Sequence, residues 1–257
     1  MTPISLPTTP SLRVDGLRAL VTGAGRGIGL AAAAALAEAG GHVTLAARTA
    51  AEVEAAAEAI RAAGGRADAL ALDVRDAAAV AAALAAREPY DVLVNNAGCN
   101  RPGPFVDATA EDFDAVLGLN LRAAFFTAQA FVRRLVAAGR PGSIINMSSQ
   151  MGHVGAVGRT IYCASKHAVE GLTKALAVEL APLGIRVNSI CPTFIETPLT
   201  EPYFRDESFR RAVLAKIKLG RLGRPEDLMA AVVFLASPGA ALMTGSSLVI
   251  DGGWTAD

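Results

Sequence analysis

"RALVTGAGRGIGLAAAAALAEAG", Arg18 to Gly40, passes from a short apolar run through a glycine-rich loop into an alanine-rich helical stretch. The glycines stand at 23, 25, 27 and 29, and they do not meet the fingerprint G-x-G-x-x-G, because Ile28 and Leu30 occupy the places where its last glycine would fall. The physics of that fingerprint is nevertheless present. A tight turn without side chains lets backbone N–H groups and a helix N-terminus approach a pyrophosphate. Glycines also permit plain close packing of helix on strand, so the loop alone leaves both readings open.

Outward from this unit the same alternation repeats. Short runs rich in β formers, "RALVT", "HVTLA", "ALALDV", "DVLVN", "SIINM", "RVNSI" and "SLVI", are separated by helical stretches near 27–39, 50–63, 76–87, 111–138, 160–182 and 225–236. Strands alternating with helices predict an α/β fold: a Rossmann-like, doubly wound parallel sheet of about seven strands with helices on both faces. Right-handed crossovers place the ligand crevice beyond the strand C-termini, so motifs just after strands are the candidates for chemistry.

One segment departs from the alternation. Residues 192–227 are long, interrupted by prolines, and hold Tyr203, Phe204 and Phe209. Residues 192–224 read either as a substrate lid or as a surface helical pair packed on its own aromatics. The remainder reads as one domain over 15–257, preceded by a loose, proline-containing extension at 1–14.

Composition narrows the function classes. Lys plus Arg equals Asp plus Glu at 24 each, with no basic block, which argues against nucleic acid as the main partner. Hydrophobic residues make up 52% and aromatics 5%, so the core is aliphatic. Cys99, Cys163 and Cys191 show neither C-x-x-C nor zinc-finger spacing, so reduced thiols are expected. No secretory leader and no charge-free run of about 18 apolar residues is evident, and a soluble cytoplasmic protein without membrane contact is expected.

NAD-binding folds commonly place an acidic residue at the end of the second strand to hold the ribose 2′-hydroxyl. Here "TLAART" puts Ala47 and Arg48 at that point, and Arg26 lies in the glycine loop. Two guanidinium groups suit a 2′-phosphate, so NADP(H) is preferred, with NAD(H) possible. Later, "TIYCASKHAVEGL" sets Tyr162 and Lys166 four apart on one helix face, which taken alone fits a solvated pair as well as it fits chemistry.

Taken together the motifs resemble the short-chain dehydrogenase/reductase family, over nearly everything from Gly16 to Trp254. The resemblance is carried by "TGAGRGIG" at 22–29, "DV" at 73–74, "NNAG" at 95–98, Asn120, "SS" at 148–149, "YCASK" at 162–166 and "DGG" at 251–253. It implies that Gly23, Gly27, Ile28 and Gly29 hold a pyrophosphate, that Asp73 and Val74 flank the adenine, and that Asn95, Ala97 and Gly98 shape the cofactor floor. Ile195 and Thr197 match positions near the nicotinamide, and Pro192-Thr193 replaces the family's usual Pro-Gly, adding a side chain there.

The resemblance maps the catalytic set to Asn120, Ser149, Tyr162 and Lys166; Ser149 is taken over Ser148 because the family separates serine and tyrosine by thirteen residues. Ser149 would stabilise the substrate oxygen and Tyr162 would pass the proton. Lys166 would lower the tyrosine pKa and bind the nicotinamide ribose. Asn120 would hold a water linking Lys166 to solvent. Gln150, His153 and Tyr203 join Ser149 and Tyr162 as substrate candidates. His42, His153 and His167 have no ligand-spaced partner in sequence, so no metal is expected.

The implied activity is NAD(P)-dependent interconversion of a secondary alcohol and a ketone of sugar, polyol or small hydroxy-ketone type. The alternative is a 3-oxoacyl-thioester reductase acting on a carrier protein, for which Arg101, Arg133, Arg134 and Arg140 would be the landing residues. A more remote one is a nucleotide-sensing binding protein without turnover. The resemblance also implies a homotetramer packed through the 111–138 and 160–182 helices.

Overall fold

The structure is a computed structural model and describes residues 4–256. Seven strands form one sheet in the order β3-β2-β1-β4-β5-β6-β7, all parallel. They are β1 (Arg18–Thr22), β2 (His42–Ala47), β3 (Arg66–Ala71), β4 (Val92–Asn95), β5 (Gly142–Met147), β6 (Ile185–Pro192) and β7 (Ser247–Ile250). The order reverses between β1 and β4, and a crevice opens there at the strand C-termini. Central strands are buried on both faces, which is why β4 reads as a nearly unbroken apolar run.

Helices cover both faces. α1 (Gly27–Glu38), α2 (Ala50–Ala62) and α8 (Glu226–Ala236) pack on one side through Ala33, Leu36, Val53, Ala57, Val232 and Leu235. α3 (Ala77–Ala85), α5 (Ala124–Ala138) and α6 (Thr160–Leu180) pack on the other through Val80, Leu84, Phe131, Leu135, Ala177 and Leu180. The alanines let helix axes approach the sheet closely. The large volumes are Leu, Ile and a few rings.

Four boundaries differ from the sequence reading. The third strand runs over 66–71 rather than 69–74, because Asp73 turns the chain: its carboxylate accepts from the Arg75 N–H at 3.0 Å, and Asp76 then caps α3. β3 lies at the sheet edge, where alternating exposure puts Arg66 and Asp68 inside the strand and hides its start. The expected helix over 111–138 is α4 (Ala110–Leu117), a π-helical turn at Gly118–Ala123 and α5. Val14 is buried and its N–H donates to the Ala39 carbonyl at 3.0 Å, so the exposed extension stops at Arg13.

The fourth difference concerns residues 192–224. Phe194, Phe204, Phe209 and Trp254 form a small aromatic core with Val213, Ile217 and Leu222, supported by α7 (Glu207–Lys216). Its inner edge, Phe194 to Tyr203, also forms one wall of the crevice. Self-packing and ligand enclosure are thus properties of one segment. The stretch 110–138 is long and apolar enough, by length and composition, to cross a membrane; in this fold its apolar residues Val116, Ala123, Phe131 and Leu135 are buried against the rest of the domain.

Candidate active site

A cleft of about 360 Å³ lies over the C-terminal ends of β1, β4, β5 and β6. At its floor the glycine loop is forced by contact. A Cβ on Gly29 would sit 2.3 Å from the Gly23 carbonyl oxygen and 2.5 Å from Asn96 Nδ2. Gly23 and Gly27 adopt φ of +64° and +58°, a region L side chains rarely enter. The loop ends on α1, whose first turn has no side-chain cap and no acidic residue. Its free N–H groups and positive dipole end therefore face the cleft, as an anion-binding site requires.

Two residues bolt the loop to the fourth strand. Asn96 Nδ2 donates to the carbonyls of Thr22 and Gly23 at 2.9 and 3.1 Å, and Thr22 Oγ1 accepts from the N–H groups of Asn96 and Ala97 at 3.0 and 3.1 Å. Gly98 passes close to Asn120 because a Cβ there would meet Asn120 Oδ1 at 3.2 Å. Ala97 and Gly98 line the cleft as expected, but Asn95 does not. Its amide donates to Asn146 Oδ1 and to the Ala124 carbonyl, tying β4 to β5 and α5 inside the protein. Asn96 takes the place expected for Asn95. The doubled Asn of "NNAG" left the two indistinguishable in sequence.

At one end, Gly25, Arg26, Arg48, Thr49, Asp73 and Val74 line the cleft. Arg26 is paired with Glu52 at 3.3 Å, and Asp73 with Arg75 at 2.6 Å, which holds the Asp73 carboxyl below its ordinary range. Arg48 is exposed and reaches the same space. Glu52 is a carboxylate in this corner that sequence spacing did not single out, since it lies inside an ordinary helix-start pattern.

At the middle of the cleft stand Ser149, Tyr162 and Lys166. Ser149 follows β5, and its Oγ accepts from the Met151 N–H at 3.1 Å, which leaves its own hydrogen to donate. Tyr162 and Lys166 come from the first turns of α6, with the ammonium 5.6 Å from the phenol ring centre. Lys166 is buried and donates to the Met147 carbonyl at 2.8 Å. Burial lowers its pKa to about 8.

The expected depression of the tyrosine by Lys166 is not what this geometry gives. Burial pushes Tyr162 up to about 12, opposed by its hydrogen bond with Ser149 and by the positive charge of Arg159. Lys166 is directed to Met147 instead. Asn120 is held by the protein on three sides. Placed on the π turn, its Nδ2 donates to the Cys99 carbonyl and Ser165 Oγ, both at 3.0 Å, while its Oδ1 accepts from the Cys99 N–H at 2.8 Å. The amide braces the Cys99 loop against α6, and it makes no hydrogen bond to Lys166 among the described residues.

The far end is lined by Gln150, Thr193, Leu199, Tyr203 and Arg159, beside Pro192, Ile195 and Thr197. Gln150 and Tyr203, two of the substrate candidates, line the cleft. His153 does not. Its Nε2 turns out of the cleft to Cys191 Sγ at 3.4 Å and Glu170 at 3.6 Å. The fold thereby brings together three potential ligand atoms that sequence spacing separated. The Glu170 carboxylate already accepts from Ser189, Ser247 and Cys191, so these groups satisfy one another as a hydrogen-bonded cluster. His42 likewise finds Asp68, at 2.9 Å on the neighbouring strand.

A family model described as enoyl-(acyl carrier protein) reductase matches residues 23–255. The chain is 39% identical over 245 residues to the D-erythrulose reductase of Gallus gallus, covering 95% of this chain and 98% of that one. It superposes with a TM-score of 0.90 on a short-chain type dehydrogenase/reductase from Mycobacterium marinum, 40% identical, covering 96% of this chain and 98% of the other. This protein belongs to the short-chain dehydrogenase/reductase family. A gluconate 5-dehydrogenase from Burkholderia cenocepacia, solved with NADP and tartrate, matches with a TM-score of 0.92 at 36% identity over 96% of this chain and 98% of its own. Within the short-chain dehydrogenase/reductase fold the cleft thus has the place and connectivity that motif order implied.

Proposed function

We propose that the chain is an NADP(H)-dependent oxidoreductase that interconverts a secondary alcohol and a ketone on a sugar or polyol skeleton. The observation that carries this is the convergence of Ser149, Tyr162 and Lys166 on one cleft whose other end holds an uncapped helix N-terminus and Arg48. Relatives that act on D-erythrulose and gluconate support the sugar-type skeleton.

The residues fit a dinucleotide phosphate. Gly23, Gly27, Ile28 and Gly29 would hold the pyrophosphate, Arg48 the 2′-phosphate, Asp73 and Val74 the adenine, and Lys166 the nicotinamide ribose, with Pro192, Ile195 and Thr197 along the ring. Arg26 shares its charge with Glu52, which tempers the preference and leaves NAD(H) usable. The cofactor, when bound, supplies or accepts the hydride.

The chain's own residues handle the oxygen and its proton. Ser149 donates to the oxygen as charge grows on it, and its acceptor bond from Met151 fixes the hydroxyl in place. Tyr162 gives that oxygen its proton in reduction and takes it in oxidation. Arg159 and Ser149 favour the phenolate from the protein side. Asn120 is a positioning residue through Cys99 and Ser165.

Carrier-protein thioesters receive less support. Arg101 lies near Asp112, Arg134 donates to the Arg87 carbonyl and Arg140 pairs with Asp91, so three of the four candidate landing residues are engaged locally. A homotetramer is supported by Phe113, Phe125 and Val178, which expose apolar surface on α4, α5 and α6. Three unpaired cysteines support a reducing, cytoplasmic setting. The test is turnover of a polyol and hydroxy-ketone panel with both cofactors, followed at the nicotinamide absorbance. Consumption of NADPH with a sugar-type ketone supports the reading, and inactivity across the panel rejects it.

A further inference from the structure

Arg159 immediately precedes α6, three residues before Tyr162, and is 7% exposed. Its guanidinium carbon lies 5.0 Å over the Tyr203 ring. Nη1 is buried with no hydrogen-bond partner, and among the described residues the guanidinium meets no carboxylate. A guanidinium stays charged in any protein environment, and a charge withdrawn from water without a partner is costly. Tyr203 satisfies the ring face of that cation and leaves its edge open. The edge is a fork of N–H donors matched to two oxygens of one planar anion.

Two other polar side chains that line the cleft are unpartnered too. Gln150 is 1% exposed, and both its amide oxygen and its amide nitrogen lack partners, as does Thr193 Oγ1. All three residues line the same cleft as Ser149 and Tyr162. An amide that must both donate and accept is matched to hydroxyl groups, which do the same. Among the described residues the other cations of the cleft are Arg26 and Arg48 at its opposite end and Lys166, which is turned to Met147. A single guanidinium balances a singly charged carboxylate better than a phosphate dianion.

We propose that the natural substrate is a polyhydroxy carboxylic acid or its keto form, an aldonic acid in chemical class, with its carboxylate on Arg159, a hydroxyl on Gln150, and the reacting carbon held between Ser149 and Tyr162. This rests on the alcohol–ketone reading above and narrows it. Arg159 is then a specificity-determining residue. A neutral sugar leaves its charge buried and unpaired, which penalises that substrate relative to the acid.

The test compares five- and six-carbon aldonates with the matched alditols and the alditol monophosphates, in the wild type and in Arg159→Gln and Arg159→Lys, with NADP. The wild type is expected to favour aldonate over alditol in kcat/KM on the order of 100-fold. Arg159→Gln collapses that ratio, mainly through KM for the acid, while NADPH affinity stays at the wild-type value and reports an intact fold. Arg159→Lys restores part of the ratio. Preference for the alditol or its phosphate in the wild type, or an equal loss for acid and alditol in Arg159→Gln, overturns the inference. Oxidation of neutral polyols without the acids rejects the carboxylate site alone, whereas inactivity on every alcohol rejects the underlying reaction.

Discussion

Lys166 donates to the main-chain carbonyl of Met147 at 2.8 Å, with its ammonium 5.6 Å from the centre of the Tyr162 ring. The ammonium is buried with one carbonyl as partner, and burial brings its pKa down from 10.5 to about 8. Between these values the unfolded chain holds a proton that the folded chain has released, so this group makes the fold more stable as pH rises through that window. Tyr162, raised to about 12, starts to oppose it only above the ordinary tyrosine value of 10. Urea denaturation at about pH 7.5 and 9.5 should show the wild type gaining about 1–2 kcal/mol relative to Lys166→Met. Parallel pH slopes in the two proteins would place the Lys166 proton elsewhere.

The two serines after β5 separate by direction. Ser149 is hydrogen-bonded to Tyr162, whereas Ser148 Oγ lies beside Gly152 and turns to the side chains of Glu170 and Cys191. Ser149→Ala should lower kcat by about 10²–10³-fold, as loss of one donor to a developing oxyanion does. Ser148→Ala should leave kcat within a few-fold. Steady-state kinetics with a saturating ketone distinguishes them, and the opposite ranking would move the oxyanion donor by one residue.

How legible the protein was depended on the range of the forces involved. The β1–loop–α1 unit, the helix bearing Tyr162 and Lys166, and the strand alternation are set by periodicity and local backbone demands, and they stand where the sequence put them. Asn95 and Asn96 share one motif, and only the fold shows that one side chain turns to Asn146 and the other to Gly23. His153 follows the same rule, since its partners lie 17 and 38 residues away in sequence and are joined only through α6 and β6. Arg159 could have been noticed three residues before Tyr162, at the entry to the same helix. Its meaning comes from burial and the missing partner, which no local pattern carries.

The contacts under the glycine loop are tight enough to test by a single methyl group. Gly29→Ala drives a Cβ into the Gly23 carbonyl, and the backbone must move. A loss of about 2–4 kcal/mol in stability and a collapse of NADPH affinity are expected. Asn96→Ala removes both side-chain ties of the loop without adding volume. It should cost about 1–3 kcal/mol and weaken NADPH binding. Thermal unfolding with and without NADPH measures both. Wild-type affinity in Gly29→Ala would show that the loop does not carry the pyrophosphate.

Cofactor choice is written in a three-residue corner. Arg48 is the cation that no carboxylate holds among the described residues, while Arg26 is shared with Glu52. Arg48→Ala should lower kcat/KM for NADPH about tenfold and change that for NADH little. Glu52→Gln frees Arg26 and should raise NADPH affinity several-fold. Equal losses with both cofactors in Arg48→Ala would remove this residue from 2′-phosphate recognition.

Single-turnover reduction of a sugar-type ketone by the NADPH complex, in the wild type and in Tyr162→Phe, tests the reaction at its centre. In the proposed reaction the phenol oxygen of Tyr162, which lines the cleft from α6, is the proton donor, and the phenylalanine variant keeps the ring. NADPH should bind both proteins with equal affinity, and the rate of nicotinamide oxidation should fall on the order of 10³-fold or more in the variant. Oxidation at an undiminished rate by Tyr162→Phe with NADPH fully bound would contradict the assignment of Tyr162 as the acid and base.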